Sequence, residues 1–322
     1  MTIPSIAATK DEDNGKLLVI EKGAASLAVV DPATATVTAS VPEGGITGHE
    51  VAASPDGRFA YVPIYGNSGV GKPGTDGRNL VVVDIAAQKV VDTVDFGHGV
   101  RPHFAVFGPK DGLLYVTTEL DHSVTIIDPK TNKIVGSVPT GQAESHMLIL
   151  SHDGRRGYTA NVGPGTVSVL DLQARKTLAI IPISKNTQRI SISMDDRMVF
   201  TSDQTRPQLA VIDTATSKVA HWIPLPGTGY GSAPTSDGRW LLLAMPGVNK
   251  VAVIDLQAMK VARTIDVPPA PQEVLIRPDG KAAYVSCDLS NQVAEIDLAD
   301  WKVKRLIHTG KTADGLAWAV AH

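Results

Sequence analysis

The feature that most restricts what this chain can fold into is a phrase that occurs seven times. Its marker is an Asp-containing turn: Ser54-Pro55-Asp56-Gly57, Pro109-Lys110-Asp111-Gly112, Ser151-His152-Asp153-Gly154, Ser193-Met194-Asp195-Asp196, Thr235-Ser236-Asp237-Gly238 and Arg277-Pro278-Asp279-Gly280, with Asp13-Asn14-Gly15 as a weaker seventh copy. Asp-Gly suits a turn that needs positive φ, and a preceding proline presets the chain for it. Asp196 breaks the glycine rule, and aspartate tolerates the left-handed region better than most residues.

After each turn comes an apolar strand such as Leu17-Leu18-Val19-Ile20, Leu114-Tyr115-Val116-Thr117 or Trp240-Leu241-Leu242-Leu243. A further strand then ends in a near-constant phrase, as in Val29-Val30-Asp31, Ile126-Ile127-Asp128 and Val253-Ile254-Asp255. A last strand of the form Lys-x-Val closes each unit. The strands are short and evenly spaced, with no helical periodicity between them. Four strands per repeat of about 42 residues is the pattern of a β-propeller, whose blades bury their faces against one another. The expected fold is all-β: a single seven-bladed propeller over residues 1–322, four antiparallel strands per blade. The first blade needs an innermost strand from Gly315-Leu316-Ala317-Trp318-Ala319-Val320, which closes the ring and removes two sheet edges. Residues 1–10 are left as a lead-in tail, and 66–79 form a Gly-rich insertion in blade 2.

The phrases Ala60-Tyr61-Val62-Pro63, Leu114-Tyr115-Val116-Thr117 and Ala283-Tyr284-Val285-Ser286 resemble the YVTN family of seven-bladed propellers over nearly the whole chain. That resemblance implies the fold. For function it implies a choice among surface-layer proteins, bacterial lactonases and cofactor-dependent dehydrogenases, since one fold hosts many chemistries.

Composition narrows the partners. A formal charge of −3 without clustered Lys or Arg argues against a nucleic-acid surface. No stretch of 18 apolar residues suggests membrane insertion, and 1–15 has no apolar signal core. The chain reads as soluble and monomeric: cytoplasmic if it is as encoded, periplasmic or secreted if a signal peptide was trimmed. Cys287 is the only cysteine, which excludes intramolecular disulfides and reads as a buried thiol at a strand end. Gly66-x-x-x-x-Gly71-Lys72 mimics a phosphate loop, but Pro73 stands where a hydroxyl must bind Mg²⁺ and no helix follows.

Candidate site residues come from the column at the start of the innermost strands: His49, His103, His146, Gln188, Tyr230, Gln272 and Asp314. Three consecutive blades place histidine there. Neutral imidazoles are good transition-metal ligands, and three of them leave a position open for water or substrate, so His49, His103 and His146 are the expected ligands of a divalent transition metal. The competing reading is a polar channel lining. Tyr230, Glu144 and Asp314 are candidate catalytic groups. Arg101, Arg189, Gln188, Gln272, Tyr65 and Glu119 are candidates for holding a small-molecule ligand, and Glu50 is a further carboxylate near the column. The 66–79 insertion emerges on the same face and could act as a lid. The expected function is a small-molecule enzyme at the mouth of the central channel, a metal-dependent hydrolase or lyase acting on an oxygenated substrate such as a lactone. The alternatives are a non-catalytic scaffold for protein or glycan partners and a redox-metal oxidase or oxygenase.

Overall fold

The repeated turns show why the chain reverses where it does. In the computed structural model, which describes residues 15–321, the Ser54 hydroxyl donates to the Asp56 carboxylate at 2.5 Å and Phe59 N–H donates to Ser54 Oγ at 2.8 Å. The same two bonds recur at Ser151/Asp153, Ser193/Asp195 and Thr235/Asp237. Gly57 follows its aspartate with φ +71°, and Asp196 takes the same conformation at +61° where glycine is missing. The second recurrent aspartate has its own task. Asp31, Asp84, Asp128, Asp171, Asp213, Asp255 and Asp297 each accept a backbone N–H two or three residues on, which folds the turn between the third and fourth strands.

The described residues form seven four-stranded antiparallel sheets arranged as blades. Six run consecutively from inside to outside; in blade 1 the inner strand is Ala313–Ala319, which pairs with Lys16–Glu21 and closes the ring. The other inner strands are Ala52–Ala53, Pro102–Phe107, Ser145–Leu150, Thr187–Ile192, Ser232–Pro234 and Pro271–Ile276 for blades 2 to 7. The second and third strands of each blade are buried on both faces, and neighbouring blades share one core. Leu18, Ile20, Leu27 and Val29 of blade 1, for instance, pack with Ala60, Val62, Val81 and Val83 of blade 2. Aromatic residues are only 5% of the chain, and small and β-branched side chains let the faces approach closely. The outermost strands, such as Thr36–Pro42, alternate exposed and partly covered residues, which blunts the seven outer edges.

The insertion of blade 2 is shorter as a loop than its glycines suggest. The strands Phe59–Gly66 and Asp76–Asp84 extend their ladder past Ile64↔Asn79 to Gly66↔Asp76, leaving 67–75 outside regular structure. Cys287 is fully buried at the end of its strand. The 1–10 lead-in, Asp13, Asn14 and His322 lie outside the described residues.

Candidate active site on the propeller axis

A register shift sits at the column of polar residues. The ladder between inner and second strands breaks at Pro102/Ala105, Ser145/Met147, Thr187/Ile190 and Pro271/Val274, and in blade 1 between Val19 and Glu21, opposite Asp314. A bulge abandons strict alternation, so two successive side chains can be re-aimed. In blades 3 and 4 the histidine of the column turns inward. In blades 5 and 7 the following residue, Arg189 or Glu273, is the one that reaches the axial cluster.

One half of the axis is built of aromatic rings, with neutral imidazoles around one carboxylate. His103 and His146 stack with ring centroids 3.5 Å apart, and His49 meets His103 edge-on at 5.3 Å. Tyr65 lies within 4.8 to 5.9 Å of all three rings and donates its hydroxyl to Glu119 at 2.6 Å. Burial pushes His49 down to about 3 and holds His103 and His146 below the usual imidazole range. Against the opposing effect of burial, His146, Tyr65 and Arg101 keep the Glu119 carboxylate ionised below its usual range. His146 Nδ1 stands 3.6 Å from Glu119, beyond hydrogen-bonding distance.

The other half is ionic. Arg189, 4% exposed, extends from blade 5 to Glu50 of blade 2, Glu273 of blade 7 and Asp314 of blade 1. Glu50 Oε1 is 2.6 Å from Nη1 without hydrogen-bond alignment, and Asp314 Oδ1 is 3.3 Å from Nη2. Lys22 holds the second oxygen of Asp314 at 3.2 Å, and the Tyr230 ring lies 4.9 Å under the guanidinium. Burial pushes Glu50 well above the carboxylate range, with Glu273 and Asp314 adding to the effect against Arg189. Glu273 is raised by burial too, while Lys22 and Arg189 hold Asp314 low in spite of it. Three carboxyls share Arg189 and Lys22 in this cluster, and burial with so few cations favours the protonated forms of Glu50 and Glu273.

The loop 67–75 lies over the aromatic half. Arg101, at φ +49°, donates Nε to Asp76 at 2.6 Å and Nη2 to Lys72 O at 2.8 Å, and its Nη1 is 3.5 Å from Glu119. Glu144 accepts Gly163 N–H at 2.7 Å, and a Cβ at Gly71 would meet its carboxylate. The structure therefore brings together His49, His103, His146, Tyr65, Glu119, Arg189, Tyr230 and Asp314. It places Arg101 and Glu144 under the insertion as loop contacts. Gln188 and Gln272 are half-buried, and Gln272 turns back to the Ala270 carbonyl. Lys22, Asp76 and Glu273 were not marked in the sequence. The signal for Glu273 is a charge one position past the column, as at Arg189. As arranged, the stacked rings do not converge on a point, and among the described residues no group of three or more His, Cys, Asp or Glu is disposed to hold a metal.

Comparison with known proteins agrees with the fold. The cytochrome D1 heme domain family matches residues 108–236, and the YNCE-like beta-propeller family matches 227–322. Among solved structures, Kuenenia stuttgartiensis hydrazine synthase superposes with TM-score 0.76 at 21% identity, covering 92% of this chain and 99% of that one. The Pseudomonas aeruginosa periplasmic gluconolactonase PpgL gives 0.74 at 17% identity, with 95% and 99% covered. The dihydro-heme d1 dehydrogenase NirN gives 0.69 at 17%, with 98% and 77% covered. No curated protein matches by sequence. Among the described residues no helix is long and apolar enough to cross a membrane.

Proposed function

Taking the chain as a seven-bladed propeller of the YNCE-like and cytochrome D1-like kind, we propose that it is a small-molecule enzyme that opens a lactone or a similar carboxylic ester on the propeller axis. One observation carries this reading: the His49 and His103 imidazoles and the Glu50, Glu273 and Asp314 carboxyls around Arg189 share one axial site. Ester hydrolysis needs a base for water, a cation for the developing oxyanion and an acid for the leaving oxygen. In the proposed reaction His49 takes a proton from water as its oxygen bonds to the carbonyl carbon, and the Asp314 carboxylate, which opposes the effect of burial on this ring, stabilises the imidazolium formed. Arg189 holds the carbonyl oxygen, and the ring C–O bond breaks as the Glu50–Glu273 pair protonates the leaving alkoxide. Lactone and water give the hydroxy acid, and the imidazolium proton returns to the carboxyl pair. Tyr230, beneath the guanidinium, and Asp314 position Arg189. The gluconolactonase among the fold neighbours makes lactones the first substrates to assay.

A divalent transition metal on His49, His103 and His146 is the second reading. The buried Nδ1 atoms of His103 and His146 lack hydrogen-bond partners, which is what unliganded donors leave. The rings would have to unstack to bind one ion. A metal there would supply a Lewis acid.

The test is pH-stat hydrolysis of five- and six-membered lactones, with elemental analysis of protein never exposed to chelator. Loss of about a hundredfold or more in kcat/KM for Glu50→Gln and Arg189→Lys, with the fold intact, is expected. Turnover that survives both changes sinks the axial mechanism. Near one equivalent of Zn, Fe, Cu or Ni, lost in His103→Ala, would favour the metal reading.

A further inference from the structure

A cavity of about 350 Å³ lies between the inner strands of blades 3 to 7, on the face of the Asp-Gly turns. It is not the mouth at which His49, Gln188, Tyr230 and Gln272 are half-buried: of the axial cluster only Arg189 and Glu273 stand on its wall. That wall is mixed. Phe104, Met147 and Ile149 give it apolar surface. The Ser191 and Ser232 hydroxyls bond each other at 2.7 Å, which uses one of their two O–H donors.

Charge on the wall comes from three side chains, His152, Arg189 and Glu273. His152 is already paired with Asp196 at 2.5 Å. Glu273 accepts from Arg189 Nη1 with one oxygen and keeps 17% of its side chain accessible. Around it Glu50, Glu273 and Asp314 share only Arg189 and Lys22, so this corner of the molecule is short of positive charge. Burial holds Glu273 above the usual carboxylate range, and a cation beside it would favour the ionised form. A second, separate signal is a donor. Arg189 is 4% exposed, and its Nε is buried without a hydrogen-bond partner. Such an N–H gains from an acceptor, and a neutral one suits it, because a carboxylate would be the fourth beside one guanidinium.

We propose that this cavity binds a protonated primary amine that carries a neutral oxygen on the neighbouring carbon, an amino alcohol or amino carbonyl compound. Its ammonium sits on Glu273 and the Ser191–Ser232 pair, and its oxygen accepts from Arg189 Nε. Its apolar body lies along Phe104, Met147 and Ile149. The site goes beyond the ester-hydrolase reading and does not rest on it, since binding is read without turnover.

Isothermal titration of the full chain at pH 7 uses four compounds with one isobutyl body: leucinol, 3-methylbutylamine, 4-methylpentan-1-ol and leucine. Leucinol should bind at one site, at least about tenfold more tightly than 4-methylpentan-1-ol, which lacks the charge. It should exceed leucine by about tenfold as well, because leucine brings a carboxylate. 3-Methylbutylamine should fall between leucinol and the alcohol. Glu273→Gln keeps the shape and removes the anion, and it should bring leucinol down to the level of the alcohol. Ser232→Phe fills the cavity and leaves the ion cluster in place, and it should weaken leucinol at least about tenfold. Circular dichroism and thermal melting verify the fold of both variants. No saturable binding of either amine, or an alcohol as tight as leucinol, would overturn the site on the parent protein alone. Leucine or 3-methylbutylamine as tight as leucinol would overturn the contact between a neutral oxygen and Arg189. Leucinol binding unchanged in both folded variants would put the amine elsewhere and overturn the cavity as its site.

Discussion

At the scale of single residues, buried groups store two opposite responses to pH. Burial pushes His49 down to about 3, and His103 and His146 also lie below the free imidazole range. The native state therefore binds fewer protons than the unfolded chain, whose histidines titrate near 6.5. Stability is full above about 6.5 and falls as pH drops towards 3, by a few kcal/mol if these imidazoles stay buried until unfolding. Because Glu43 acts oppositely over the same window, the effect is read as a difference: from pH 7 to 5.5 to 4.5 the urea midpoint of the parent should fall progressively relative to that of His49→Gln. Glu43 has the opposite sign. It is fully buried, its Oε2 accepts Gly48 N–H at 2.6 Å, and its Oε1 has no hydrogen-bond partner. Burial, with Glu21 nearby, pushes it up to about 7. Its protonated form belongs to the native state, so stability is lost as pH rises from about 4.5 to 7, by roughly 3 kcal/mol at most. Glu43→Gln keeps the bond to Gly48. It should raise the midpoint at pH 8 and leave it nearly unchanged at pH 4, and equal effects at both would refute the assignment. Site legibility divides along the same line. A column in register located the histidines, because His49 and His146 stand eight residues before the turn glycine and His103 nine, its turn being longer by one residue. Arg189, Glu273 and Lys22 meet only because bulges shift the register and the ring brings blades 5, 7 and 1 together, and spacing along one repeat carries neither fact.

At the scale of elements, turn chemistry made the blades readable. Ser-x-Asp-Gly and Ile-Asp phrases close their own hydrogen bonds within five residues, so local sequence suffices. The glycines of 66–79 were less informative. They marked a loop, but the ladder runs on to Gly66↔Asp76, because nothing in glycine prevents strand pairing when the partner strand is present. Inside the remaining loop Thr75 N–H bonds Asn67 Oδ1, and one side chain from outside ties it to the propeller. Arg101 bonds Asp76 and Lys72 O from a nearly buried position, and charge-assisted bonds of this kind are worth about 1.5–3 kcal/mol each. Arg101→Ala should therefore raise amide hydrogen exchange in 67–75 by roughly tenfold or more, with little change in exchange of the second and third strands. Exchange in the loop that matches the parent would mean that the guanidinium does not fasten it.

At the scale of the molecule, stability depends on closure. A propeller blade makes its main contacts with two neighbours, so a ring with one interface open becomes a linear array with two exposed faces. Here one strand makes the joint. Ala313–Ala319 is the inner strand of blade 1, pairing Leu17↔Trp318 and Leu18↔Ala317, and its Trp318 ring stacks on Tyr284 of blade 7 at 6.0 Å. Leu17, Val19 and Tyr284 share a core with Leu316 and Ala313. Removing residues 313–322 would uncover that core and the inner edge of Lys16–Glu21 together, an edge that invites pairing with other chains. The melting temperature should fall by roughly 10 °C or more, with aggregation on heating. The same strand also carries Asp314 into the Arg189 cluster, so the truncation alone would confuse loss of closure with loss of one ion pair. Asp314→Asn separates them. It keeps the strand, the closure and the polar contact, and it should lower the melting temperature far less than truncation does while still impairing turnover. If Asp314→Asn destabilised the protein as much as the truncation, the ion cluster rather than the closing strand would be the element that holds the ring.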